Sequence, residues 1–106
     1  MEKNPVDIMI AEAPELFDAY SEMSKTVFSS KGLDEKTKQL IYMAMRAAEG
    51  DAGAVKVHAP MAKAAGATRD EVKEAILMTL LVSGMKGVVS CLPAALVAYD
   101  QAKVSK

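Results

Sequence analysis

The chain has 106 residues, which suits one small domain with a modest core. Hydrophobic residues make up 51% and aromatics 5%, with eight Met and no Trp, a composition that favours closely packed helices over strands. Thirteen basic and fourteen acidic residues are well mixed, and with no basic block the chain lacks the footprint of a nucleic-acid binder.

The single cysteine, Cys91, rules out an internal disulfide and a multi-thiolate zinc site. One His, one Cys and scattered carboxylates have no metal-ligand spacing, so no metal is expected. Met1-Glu2-Lys3-Asn4-Pro5 lacks the apolar run of a signal peptide, and a cytoplasmic location is expected. A monomer this apolar would expose large greasy patches, so a homo-oligomer is expected as well.

The pattern is helical throughout, without repeats or linkers, and the whole chain, 1–106, reads as a single domain. Pro5 opens a first helix towards Phe28, with Pro14 splitting it or marking its real start. Ser29-Ser30-Lys31-Gly32 reads as a loop. Asp34 caps a second helix, Glu35 to Glu49, which Gly50 ends. Asp51 caps a third, which carries His58 and runs to about Gly66, with a kink or a late restart at Pro60. Thr68-Arg69-Asp70-Glu71 matches a capping box opening a fourth helix to about Ser83. Gly84-Met85-Lys86-Gly87 breaks it, and a fifth helix continues to about Lys103, kinked at Pro93.

Ile76 to Ala98 is apolar enough to raise a membrane span. Lys86 at its middle would cost roughly 2.5–3.5 kcal/mol on insertion scales. A bundle or oligomer core accounts for such helices without a membrane, and none is expected.

The chemistry-bearing residues cluster around the third helix. Asp51, Ala54 and His58 are offset by three and then four, so they share one helical face. Asp51 and His58 are about 10 Å apart along the axis and cannot bond directly. Gln39 and Arg46 share a stripe of the second helix with Met43. The bland readings are an N-cap for Asp51, solvated helix positions for Gln39 and Arg46, a snorkelling Lys86, and a small buried hydrophobe for Cys91.

These residues, with Ala65-Gly66-Ala67-Thr68-Arg69-Asp70-Glu71-Val72-Lys73-Glu74-Ala75 downstream, resemble the central motif of the carboxymuconolactone decarboxylase and AhpD-like alkylhydroperoxidase family, most strongly over 33–99. In the peroxidase branch the motif is Glu, eleven residues, Cys-x-x-Cys, three residues, His. Here Gln39 replaces the Glu, Asp51 and Ala54 replace the cysteines, and His58 remains. A Cys-x-x-Cys peroxidase mechanism is therefore unavailable to this chain.

The resemblance implies an all-α bundle of about five to six helices, assembled as a ring-like trimer or hexamer. It also implies that the Gln39 helix packs against the His58 helix, so that Gln39 orients the ring or a water. The decarboxylase branch implies cofactor-free loss of CO2 from an anionic lactone-like substrate. On that basis the expected catalytic residues are His58 as proton donor or acceptor, Gln39 and Asp51, with Arg46 and Lys86 binding substrate. The alternative is a non-catalytic oligomer that binds a small molecule or a partner. A third reading is one-cysteine redox chemistry at Cys91, which needs an accessible, acidified thiolate.

Overall fold

The computed structural model describes residues 4–103, and these form seven helical segments with no strand among them. They fall into two compact units, Met1–Gly32 and Leu33–Lys106. Met1–Lys3, the start of the segment that lacks a signal peptide's apolar run, lie outside the described residues.

In the first unit α1 (Pro5–Glu12) and α2 (Pro14–Ser29) pack on each other. Both start on a proline at the first helical position, where its missing N–H costs nothing. Pro14 splits the segment by driving Ala13 out of the helical region, to φ −144° and ψ 62°. Neither helix has a buried residue.

The second unit comprises α3 (Glu35–Ala48), α4 (Ala52–Ala64), α5 (Arg69–Leu77), α6 (Leu80–Ser83) and α7 (Lys86–Gln101). Its starts are set by side chains taking orphan amides. Asp34 accepts from the Thr37 N–H, Asp51 from that of Ala54, and Thr68 with Glu71 completes the capping box. Gly50, at φ +79°, closes α3: its N–H reaches Ala47 O and the Asp51 N–H reaches Arg46 O.

The expected fourth helix divides in two. Thr79 turns its hydroxyl back onto Ile76 O at 2.7 Å and its N–H onto the same oxygen, tightening the chain into i→i+3 bonds before the single turn of α6. Gly84, at φ +60° and ψ −145°, then ends α6 in a conformation only glycine holds without strain. These two breaks also dispose of the membrane span: among the described residues no helix is long and apolar enough to cross a bilayer. Pro60 and Pro93 leave α4 and α7 as single helices. The carbonyls they deprive belong to the exposed Lys56 and Val89, where water can serve instead.

Helix α7 is the hub, packing on α3, α4, α5 and α6. The core has Met43 and Ala47 from α3, Val55, Ala59 and Ala62 from α4, Val72 and Ile76 from α5, and Cys91 and Ala95 from α7. Small side chains dominate, so the helices approach closely. At the far end Lys63 Nζ donates to the carbonyls of Tyr99 and Ala102, while Arg69 forks onto Asp100 at 2.8 and 3.2 Å. The tightest approach is at Gly87, where an added Cβ would collide with Ala47 O and lie 2.8 Å from Thr79 Oγ1.

Backbone cannot retreat there without opening the α3–α7 contact. Gly87→Ala is therefore expected to destabilise the protein by about 1–3 kcal/mol despite its better helix propensity. Urea unfolding followed by circular dichroism checks this; a stabilised variant would show that the contact relaxes freely.

Candidate active site

The α3–α4 pair builds the site. A Schellman-type turn at Gly50 reverses the chain, and the two helices pack side by side. Gln39, near the start of α3, then faces His58 on α4. His58 Nδ1 lies 2.8 Å from Gln39 Oε1. The amide oxygen accepts, so Nδ1 carries the ring proton and Nε2 holds the lone pair. Among the described residues Nε2 has no protein hydrogen-bond partner. Gln39 is 5% exposed, which rules out its bland reading as a solvated helix position.

One residue enters that the sequence reading omits. Tyr42 lies between Gln39 and Arg46 on α3, and its ring meets the His58 ring at 4.1 Å between centroids, tilted by 33°. Its hydroxyl oxygen accepts from Arg46 Nε at 3.0 Å, and the guanidinium carbon sits 5.3 Å from its ring centroid. The signal was present: Gln39, Tyr42 and Arg46 are spaced three and four apart, one turn each.

Arg46 Nη1 is 3.2 Å from Glu49 and 3.7 Å from Asp51. Asp51 is both the cap of α4, taking the Ala54 N–H at 3.0 Å, and a neighbour of Arg46. It reaches the histidine only through Arg46 and Tyr42, as its distance along α4 requires. Lys86 is exposed; its aliphatic chain runs along the Gly50 turn, and it forms no ion pair among the described residues. Gln39, His58, Tyr42, Arg46 and Asp51 thus form one connected set, with Lys86 at its edge. Cys91 is fully buried in the core, which removes the accessible thiolate its redox reading needs.

The electrostatics favour a neutral imidazole. Burial pushes the His58 pKa below its ordinary 6.5, and the positive charge of Arg46 adds to that effect. Gln39 offers no counter-charge, as a glutamate would. Arg46 itself is held more firmly protonated by the Tyr42 hydroxyl and then by Glu49. Tyr42, Met45, Arg46, Ala48 and Glu49 line an open cleft of ≈ 460 Å³. His58 is not in that wall, but Tyr42, which is, stacks on it. No group of His, Cys, Asp or Glu among the described residues could hold a metal.

Because His58 is the only histidine, its titration is a single NMR curve. The midpoint is expected below 6.5, rising in Arg46→Gln and further in Gln39→Glu. Between the folded midpoint and 6.5 the unfolded chain binds more proton. Stability from this group is therefore complete above about 6.5 and is lost as pH falls to the folded midpoint. A midpoint at or above 6.5 would contradict this account.

The sequence model of the carboxymuconolactone decarboxylase family matches residues 14–96. Two uncharacterized proteins of Methanocaldococcus jannaschii are similar. One is 33% identical over 97 residues, 91% of each chain; the other is 36% identical over 73 residues, 68% of this chain and 70% of the relative. Two crystal structures share the fold. A candidate carboxymuconolactone decarboxylase from Burkholderia xenovorans LB400 superposes with a TM-score of 0.84 at 29% identity, covering 94% of this chain and 78% of the other. A carboxymuconolactone decarboxylase family protein from Legionella pneumophila, in its apo form, gives 0.79 at 28% identity, covering 91% and 85%. With one cysteine, and that one buried in α7, this all-α chain belongs to the carboxymuconolactone decarboxylase family as a member without a Cys-x-x-Cys pair.

Proposed function

We propose that the protein is a cofactor-free acid–base enzyme acting on a small anionic, lactone-like carboxylate, with His58 Nε2 as the proton-carrying atom. The observation that carries this is the fixed ring: Gln39 holds Nδ1, Tyr42 stacks on the ring, and Nε2 keeps its lone pair with no hydrogen-bond partner among the described residues, within the field of Arg46. In a decarboxylation, cleavage of the carbon–carboxylate bond leaves its electron pair on carbon and releases CO2. A proton carried on Nε2 passes to that carbon, and His58 returns to its neutral form. Arg46 and Lys86 supply the positive charge that draws the substrate, and Asp51 positions Arg46. A cytoplasmic location belongs to the same proposal.

The cleft is open in a single chain, and exposed apolar side chains flank the site: Ile41 and Met45 on α3, Val57 and Met61 on α4. More lie beyond it, with Leu81 78% and Val82 80% exposed. Self-association that covers these residues would also exclude water from the site. The openness equally favours the second reading, a non-catalytic oligomer that binds a small molecule.

Assay of 4-carboxymuconolactone by loss of its ultraviolet absorbance separates the two. His58→Gln is expected to lower kcat by about 100-fold or more. Turnover unchanged by that substitution would overturn the acid–base role, and no turnover by the native protein would leave the binding reading. In sedimentation analysis the native chain is expected as an oligomer, and Leu81→Glu with Val82→Glu as a smaller species; a monomeric native protein contradicts the expectation.

A further inference from the structure

We propose that a substrate carboxylate pairing with Arg46 loads a proton onto His58 Nε2, so that binding itself creates the acid that the reaction needs. This rests on the acid–base function above and resolves a conflict within it: carbon must be protonated, yet the resting imidazole is neutral.

The geometry supplies both parts of the device. Arg46 has Nε engaged by Tyr42 and Nη1 by Glu49 and Asp51, while Nη2 makes no hydrogen bond among the described residues. Arg46 also forms part of the cleft wall. A ligand carboxylate can therefore add at Nη2 without displacing Glu49 or Asp51, bringing one further negative charge. Tyr42 links that guanidinium to the imidazole, holding Nε through its hydroxyl and stacking on the ring. Cancelling the field of Arg46 removes a cause that keeps His58 neutral. Solvent supplies the proton, the Nε2 lone pair receives it, and no other bond changes.

After burial, the charge that bears on His58 is that of Arg46. At the end of α3 the charges are Arg46 and its partner Glu49 at the C-cap, with Tyr42 between Arg46 and the ring; on α4 they are Asp51 at its head, already tied to Arg46, and the exposed Lys56. Helix α7 contributes Lys86, lying along the Gly50 turn, and the buried Cys91. On α5, Arg69 pairs with Asp100, Asp70 with Lys73 and Glu71 with Lys36, while Glu74 lines a separate pocket with Leu40, Leu77 and Leu81.

The test uses the whole protein and glutarate, a dicarboxylate that cannot be decarboxylated by this route. The His58 NMR midpoint is followed with and without saturating glutarate, and calorimetry in buffers of different ionisation enthalpy counts protons taken up. The midpoint is expected to rise by about half a pH unit, with net proton uptake and roughly threefold tighter binding below both midpoints than above them, as reciprocity requires. Arg46→Gln should abolish the coupling, and Tyr42→Phe, which keeps the ring, should weaken it. Binding without a midpoint change or proton uptake overturns proton loading and leaves the acid–base function standing. No binding at any concentration overturns the anion site on Arg46. A coupled midpoint in a protein whose turnover survives His58→Gln upholds the loading and rejects the acid–base function instead.

Discussion

The close crossing of α3, α4 and α7 on small side chains is the constraint from which the rest follows. Ala47, Ala59, Ala62, Gly87 and Ala95 leave no bulk at the contact, and backbone atoms of α3 limit how large a residue α7 can carry. That spacing lets a glutamine on one helix reach a histidine on the next at 2.8 Å. A separation wider by one methylene would break the bond, free the ring and leave a buried amide unsatisfied. Core packing and site geometry are thus one problem, solved by the same alanines.

On this scaffold the chemistry is set by what replaces a thiol pair. A cysteine at position 51 would sit at the α4 N-terminus, where the aligned amides favour a thiolate. Asp51 uses that position differently. Its carboxylate takes the Ala54 amide and stands near Arg46, so the helix start is satisfied and a cation is steadied. Gln39 makes the complementary change. As a neutral acceptor it fixes the ring tautomer without stabilising an imidazolium, so burial and Arg46 determine the charge of His58. Together the two residues remove the thiol pair and leave a neutral acceptor on the ring and a carboxylate beside Arg46, the arrangement on which the proposed acid–base function rests.

Local signals in the sequence located the helices because their causes are local. Asp34, Asp51 and the Thr68–Glu71 box act within one turn, and Gly50 ends a helix whatever it packs on. The division after Leu77 escaped because neither Pro nor Gly marks it; a threonine hydroxyl bending onto Ile76 O is a common arrangement inside intact helices too. At Pro60 the late restart does not occur and α4 runs on through it, because the deprived carbonyl belongs to an exposed residue that water can serve. In the site, the facing of Gln39 and His58 followed from a resemblance. Tyr42 did not, because an aromatic on a helix stripe reads as core until the neighbouring helix is in place. The link from Asp51 to Arg46 likewise exists only once the Gly50 turn folds the end of α3 back beside the cap of α4.

Arg46 is more constrained than a cation reserved for substrate. Two carboxylates already approach one of its terminal nitrogens, and Glu49 is 64% exposed, so that pair contributes little to stability. Its effect is electrostatic: the pair limits the positive potential that the cleft presents to solvent. An anion entering the cleft would meet a partly neutralised guanidinium whose Nη2 makes no hydrogen bond among the described residues, with Tyr42 and Met45 beside it. A simple inorganic anion lacks the apolar half of that contact. A compact carboxylate bearing an unsaturated ring would satisfy both halves, which is why the proposed substrate class suits this cleft.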